Sequence, residues 1–131
     1  MALPVVKMVV SRQDNDCALC ALAMLTGKDY NDVLLAVDKI DPRAGKRGLW
    51  STQINRAATL LGCKLRTRRK FDIENDTGIL NVKFKDGEEH AVLLKGGMIF
   101  NSDGCIWEVA DYIAVEKLSV GCLMVLDDSQ G

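Results

Sequence analysis

The stretch from Arg12 to Gly27 constrains the fold more than any other part of the chain. A polar run, 12–16, passes into an apolar run, 17–25, with no turn signal between them. Asp16 is a favourable N-cap residue and Gly27 is a favourable C-terminal residue, so the apolar run predicts one short helix. Because the run is apolar on nearly every side, we expect the helix to be buried inside the domain.

Cys17 falls in the first turn of this predicted helix. Unpaired backbone N–H groups and the positive end of the helix dipole favour a thiolate over a thiol at that position. Cys17 is therefore a candidate nucleophile. The competing interpretation is a small buried hydrophobic residue, which is the usual role of a free cysteine.

Cys17 and Cys20 also form a C-x-x-C motif, which occurs in redox pairs and in zinc sites. The chain has no second such motif, and its single histidine is the distant His90. We therefore expect no metal and no cofactor, and we predict that Cys20 lies in the core, one helical turn from Cys17. Thioredoxin-like exchange between the two cysteines stays open as an alternative.

Composition points to one ordinary globular domain, spanning residues 1–131. The chain is 48% hydrophobic and 27% charged, and its net charge of −1 indicates neither a nucleic-acid nor a membrane partner. Its five cysteines show no spacing typical of a disulfide framework, and neither a signal peptide nor a membrane span is apparent. A reduced, cytoplasmic location is the expectation.

Helical patterns come first in the chain and strand patterns second, which predicts an α+β fold with an antiparallel sheet. A capping-box-like sequence at 29–32 should begin a second helix, and Ser51 or Thr52 a third. The other predicted segments are a strand or extended lead-in at 5–10, a loop at 42–50, strands at 63–69, 79–84, 90–95, 98–101 and 122–126, and a region of ambiguous structure at 107–118.

The predicted hairpin around Gly96 and Gly97 gives His90 a chemical context. A two-residue turn pairs Lys95 with Met98, and counting outward along the strands pairs His90 with Asp103. Asn101 is then diagonal to His90 on the same face, so either polar residue could orient the imidazole of a general base. The competing interpretation is a histidine with a purely structural role in the strand.

Three segments together resemble the papain-like cysteine peptidases, in particular the bacteriocin-processing, C39-like group. RQDNDCALCALAMLTGKDYNDV is similar to the helix of that family that carries the active-site cysteine, and GLWSTQINRAATLLGCKL to its glycine-led helix and following strand. HAVLLKGGMIFNSDG is similar to its histidine strand and return strand. The resemblance implies a papain-like fold, in which a buried N-terminal helix packs on an antiparallel sheet.

The resemblance also implies residue roles and a reaction. Cys17 would be the nucleophile, His90 the general base and Asn101 its orienting partner, with Asp103 a rival for the third role. Gln13 would stabilise the oxyanion together with the backbone N–H of Cys17. The implied activity is that of a cysteine peptidase or related thiol hydrolase, which acts on a peptide or protein substrate through a thioester.

The chain departs from the family pattern in several places. Gln13 is closer to the cysteine than is usual, Ala18 stands where the family commonly has glycine, and Asn101 is followed by serine instead of proline. We expect no transporter domain to accompany this one, unlike in the bacteriocin-processing members. A different function therefore stays open, that of a catalytically silent papain-like domain that binds a protein through Trp50, the 42–50 loop or the basic run at 64–70.

Overall fold

The computed structural model describes residues 6–13, 15–42 and 51–127. Within these ranges the chain forms an α+β fold of four helices and one six-stranded sheet, as the order of sequence patterns predicts. The helices are α1 (Cys17–Thr26), α2 (Tyr30–Ile40), α3 (Ser51–Leu60) and α4 (Val109–Glu116). The strands are β1 (Leu65–Arg68), β2 (Gly78–Lys83), β3 (Glu89–Lys95), β4 (Met98–Phe100), β5 (Ile106–Glu108) and β6 (Ser119–Leu126).

The sheet has the strand order β1-β6-β2-β3-β4-β5, and every neighbouring pair is antiparallel. Alternating side chains divide its core between two faces. One face packs on the first three helices, and its sheet residues include Ile79, Leu93 and Phe100. The other face, which includes Val92, packs on α4 through Tyr112. Helices therefore cover both faces of the sheet.

Helix α1 is the buried centre of the first layer. It begins at Cys17, and every residue from Ala18 to Met24 is buried. Gly27 ends the helix with a φ of 72°, and its N–H donates to the carbonyl of Ala23. The helix contacts α2, α3, β2 and β3, so the prediction of a short helix surrounded by the domain is confirmed.

The predicted side-chain caps of α1 and α2 are wrong, although both helices begin where expected. Asp16 occupies the N-cap position of α1, but its carboxylate makes no cap hydrogen bond to the backbone of that helix. Asp29 likewise leaves α2 uncapped and instead accepts a hydrogen bond from Lys7 at 2.6 Å. In both cases the carboxylate takes donors from other segments, which local sequence could not reveal.

The hairpin has the predicted turn but is shorter than predicted. Lys95 pairs with Met98, and the paired register ends where Leu93 faces Phe100. At Asn101 the chain turns away, because its N–H donates to the carbonyl of Cys105 at 3.0 Å. The predicted pairing of His90 with Asp103 is therefore wrong.

Three other sequence expectations have clear outcomes. Residues 6–10 form neither a helix nor a strand; next to them, the N–H of Ser11 donates to the carbonyl of Ser102 at 2.7 Å. The ambiguous region 107–118 contains the end of β5 and the whole of α4, and the last strand begins at Ser119 instead of Cys122. Residues 43–50 of the predicted loop, which include Trp50, lie outside the described residues.

None of the helices in the described ranges has both the length and the apolar character needed to cross a bilayer.

Candidate active site

The fold brings Cys17 and His90 together from the two halves of the chain. Cys17 is the first residue of α1, and His90 lies near the start of β3, on which α1 packs. The thiol and the imidazole are close enough for each to shift the pKa of the other, and both side chains are partly exposed to solvent. The structure therefore unites the candidate nucleophile with the candidate base.

Asn101 fixes the orientation of the His90 ring. Its Oδ1 lies 2.8 Å from His90 Nε2 and also accepts the backbone N–H of Ser102 at 2.8 Å. Because a backbone N–H can only donate, the Ser102 contact identifies which end of the amide is the oxygen. Nε2 must then carry a hydrogen, which leaves Nδ1 as the nitrogen available to Cys17.

The surroundings of Cys17 lower the pKa of its thiol. Burial alone would raise the pKa, but the hydrogen bond and positive charge of His90 act in the opposite direction. The backbone N–H groups of Ala91 and Ala18 also lower it. The net pKa lies below the ordinary value of 9.0.

The pKa of His90 moves in the complementary direction. Burial would lower the pKa, whereas the hydrogen bond and negative charge of Cys17 raise it, as do the hydrogen bond to Asn101 and the charge of Asp103. The net pKa lies above the ordinary value of 6.5. Each group thus favours the charged form of the other, so around neutral pH the pair is shifted toward thiolate and imidazolium.

The two cysteines of the C-x-x-C motif have opposite environments. Cys20 is 0% exposed, which confirms that it belongs to the core. Burial, followed by the negative charges of Asp16 and Cys17, raises its pKa to about 12. Both cysteines are free thiols, and their pKa values are shifted in opposite directions, down at Cys17 and up at Cys20.

Asp103 lies near His90 without making a hydrogen bond to its ring. Its side chain is exposed, and its Oδ1 accepts the N–H of Cys105 at 2.8 Å. Its influence on His90 is through charge alone. Of the two candidates for the third position, the structure places Asn101 in contact with the histidine.

Gln13 belongs to a polar network just before the start of α1. Its side-chain amide donates to the hydroxyl of Tyr30 at 3.1 Å, and that hydroxyl donates to Asp16 at 2.8 Å. Asp16 also accepts the backbone N–H groups of Arg12 and Gln13 and, at 2.6 Å, the hydroxyl of Ser11. The Gln13 amide is therefore anchored on Tyr30, and its oxyanion role stays a prediction.

This network was missed from sequence, where Asp16 was interpreted only as a helix cap. Asp16 is 2% exposed, and burial raises its pKa. The hydrogen bonds from Ser11, Arg12, Tyr30 and Gln13 lower the pKa more strongly, to a net value below 3.8. A tyrosine fourteen residues away carries no local signal for such a contact.

A groove of about 620 Å³ lies beside this network, between residues 7–12 and the start of α2. Its walls include Ser11, Arg12 and Tyr30. The hydroxyl of Tyr30 is also the group that accepts the hydrogen bond from the Gln13 amide. The guanidinium carbon of Arg12 lies 4.5 Å from the centre of the Tyr30 ring, a cation–π contact.

Within the described residues, no three side chains of the His, Cys, Asp and Glu types converge as a metal site would require. Comparison with protein families finds no match for this chain, and comparison with curated proteins finds no match either.

Proposed function

We propose that this protein is a papain-like cysteine peptidase or a closely related thiol hydrolase, which cleaves a peptide or isopeptide bond. One observation carries the proposal: a thiol at the N-terminus of a buried helix lies beside the only histidine of the chain, which Asn101 orients. A nucleophile, a base and a residue that positions the base are the components that covalent acyl transfer requires.

In the first half of the proposed reaction, the Cys17 thiolate attacks the carbonyl carbon of the scissile bond. The carbonyl electrons move onto oxygen, and the tetrahedral intermediate collapses as the carbon–nitrogen bond breaks. The imidazolium of His90 gives its proton to the departing amine through Nδ1. The products of this half are a free amine and a thioester on Cys17.

In the second half, neutral His90 removes a proton from water, which attacks the thioester carbonyl. Collapse of the second tetrahedral intermediate releases the carboxylic acid, and the proton held by His90 restores the ion pair with the Cys17 thiolate. Asn101 keeps Nε2 occupied throughout, so the exchanging nitrogen stays directed toward the sulfur. An acyl-transfer reaction would follow the same course with an amine in place of water.

The first turn of α1 is the proposed site of oxyanion stabilisation. The Asp16 carboxylate makes no cap bond, so it does not compete for the N-terminal N–H groups of the helix. The backbone N–H of Cys17 is the proposed first donor, and the Gln13 amide the second. The groove lined by Arg12 and Tyr30 is a candidate site for part of the peptide.

The papain-like assignment has support from the order of elements along the chain. The nucleophile comes first on a buried helix, the base follows on a strand of an antiparallel sheet, and the orienting residue comes after the return strand. Since a catalytic thiol must stay reduced, we place the enzyme in the cytoplasm.

The first prediction concerns selective alkylation. At neutral pH, a limiting amount of iodoacetamide should label Cys17 ahead of every other cysteine, as measured by peptide mass spectrometry. Cys105 is the internal control, because its thiol is exposed but the charge and hydrogen bond of Asp103 raise its pKa. Exposure alone would therefore favour Cys105, whereas thiolate character favours Cys17.

Faster labelling of Cys105, or equal labelling of several cysteines, would contradict the catalytic proposal and favour the silent binding domain. A Cys17–Cys20 disulfide as the dominant product of mild oxidation would favour redox chemistry. The activity itself is tested by mass spectrometry of a diverse peptide mixture incubated with the protein. Cleavage should require Cys17 and should be absent from Cys17→Ser.

A further inference from the structure

Among the described residues, strand β1 forms one edge of the sheet and pairs only with β6. The N–H of Asp127 donates to the carbonyl of Lys64 at 2.8 Å, so the backbone of Lys64 faces the β6 side. Arg66 and Arg68 follow at steps of two residues in the same register, so their backbone groups also face β6. Antiparallel ladders alternate between residues that bond the neighbouring strand and residues that face away. The backbone groups of Leu65 and Thr67 therefore point outward, toward the open edge.

No other part of the described chain forms hydrogen bonds with these outward groups, and the Thr67 side chain is exposed. An exposed strand edge is a template for another extended chain, and proteins usually obstruct such edges with charge or with a bulge. The β1–β6 ladder has continuous register and no bulge. Charge is therefore the feature that decides what this edge can accept.

The charge along β1 is entirely positive. Lys64, Arg66 and Arg68 project on the same face at alternating positions, and Arg69 and Lys70 extend the run. The only acidic partner that the structure places on the strand is Asp76, whose carboxylate lies 3.5 Å from Arg68. Arg66 is exposed, and within the described ranges no acidic side chain forms an ion pair with it.

From this edge and its charge, we propose that β1 docks an extended acidic segment of a partner protein, which adds to the sheet as a seventh strand. In such a strand, residues directly opposite Lys64, Arg66 and Arg68 share their face and lie within reach of them, so acidic residues at alternate positions are favoured. A second copy of β1 would instead place arginines opposite arginines, which disfavours self-pairing through this edge.

The probe is a fluorescent peptide in which glutamate alternates with valine, and its control is the same peptide with lysine in place of glutamate. Binding is measured by fluorescence anisotropy on the Cys17→Ser variant, in which the proposed nucleophile is absent and cleavage cannot interfere. The acidic peptide should bind and the basic peptide should not. Because Cys17 lies on α1, which packs on β3 and β2, and not on β1, a failure here leaves the proposed peptidase activity untouched.

Two substitutions separate strand addition from simple charge attraction. Thr67→Pro removes one outward N–H without removing a β1–β6 hydrogen bond, and should weaken binding roughly tenfold, the equivalent of one backbone hydrogen bond. Thr67→Val is the matched control, because it keeps the N–H and the β-branched shape. Arg66→Glu should also abolish most of the binding.

Two results would overturn the proposal in favour of a general polyanion-binding surface. One is an unchanged affinity of Thr67→Pro for the acidic peptide, and the other is a single-stranded oligonucleotide that binds as well as the peptide and displaces it. The proposal would also be overturned if the free protein dimerised and Arg66→Glu strengthened the dimer. If Thr67→Pro fails to fold, amide exchange decides the question in wild type. The N–H groups of Leu65 and Thr67 should become protected on adding the acidic peptide, and their unaltered exchange would refute strand addition.

Discussion

At the scale of single residues, the orientation of His90 depends on a side chain that is itself held by the backbone. The amide oxygen of Asn101 accepts both the Nε2 hydrogen of His90 and the N–H of Ser102. Removing this amide leaves the imidazole free to rotate and its Nε2 without a partner in the protein. Asp103 contributes charge from an exposed position, where water and salt weaken its effect.

We expect Asn101→Ala to lower kcat/KM by roughly tenfold to a hundredfold, the range for losing a hydrogen bond to a charged group. The control is Asp103→Asn, which keeps an acceptor for the Cys105 N–H and removes only the charge. It should lower kcat/KM by no more than about fivefold, as expected for an exposed charge. Steady-state peptide hydrolysis, with circular dichroism to verify folding, measures both. A larger loss in Asp103→Asn would transfer the orienting role to Asp103.

The coupling of Cys17 to His90 makes a prediction about pH. His90 lowers the pKa of Cys17, so His90→Ala should raise that pKa and slow alkylation of Cys17 near pH 6. Backbone N–H groups also lower the pKa, so part of the shift should remain in the variant. The measurement is the rate of Cys17 alkylation as a function of pH.

The matched control for His90→Ala is Phe84→Leu, because the Phe84 ring centre lies 6.1 Å from that of His90 but carries no charge. This variant should keep the wild-type pH profile. Superimposable profiles for wild type and His90→Ala would mean that the two groups are not coupled, and the proposed active site would be wrong at its centre.

At the scale of elements, Asp16 joins three segments at one buried carboxylate. Its acceptor oxygens bind Ser11 and the backbone of residues 12–13, and its contact with Tyr30 links the start of α1 to α2. The carboxylate thus holds the polar segment before the helix and leaves the backbone N–H groups of the first helical turn uncapped. Its contribution is to stability and to the position of Gln13.

Asp16→Asn should lower the free energy of unfolding by about 1–3 kcal/mol at pH 7. The new side-chain amide would face several hydrogen-bond donors, each of which needs an acceptor. Because the folded-state pKa of Asp16 is below 3.8, its contribution is present above that pH and is lost as the pH falls through the folded value. The difference between wild type and variant should therefore shrink in acid, as measured by urea denaturation at several pH values.

Asp29→Asn is the control for this stability measurement, because the Asp29–Lys7 pair is exposed to solvent. It should change the urea midpoint little at any pH. An Asp16→Asn variant as stable as Asp29→Asn would show that the buried carboxylate does not hold these segments together.

Elements with local signals were predictable from sequence, and elements that depend on distant partners were not. The end of α1 at its glycine and the turn at Gly96–Gly97 each depend on a few neighbouring residues, and both predictions are confirmed. The carboxylate of Asp16 has equally local cap chemistry, but it accepts hydrogen bonds from Tyr30 and from the backbone of residues 12–13 instead of from the helix. Strand β5 has three residues, too few for a periodic pattern to appear.

The candidate site shows the same division. Cys17 could be found from its place in a helix and His90 as the only histidine, but their contact depends on how α1 packs on β3. Counting strand pairs favoured Asp103, because it assumed that the hairpin continued beyond Phe100. The family resemblance favoured Asn101, and the structure places Asn101 on the ring.

At the scale of the whole molecule, the sheet order could not be read from the sequence. Strand β6 comes last in the chain but lies between β1 and β2, although β3, β4, β5 and α4 come between these strands and β6 in sequence. No turn connects these partners, so hairpin signals carry no information about their pairing. Only the antiparallel class of the sheet, and its β3–β4 pair, followed from sequence patterns.

This strand order also determines when the protein can complete its sheet during synthesis. Ribosomes release the chain from its N-terminus, so the segments carrying Cys17, His90 and Asn101 emerge before residues 119–126. Until those residues emerge, β1 lacks its only neighbour and β2 is an open edge. Before β6 emerges, the basic residues of β1 would then keep the β1 strands of nascent chains on neighbouring ribosomes from pairing with one another.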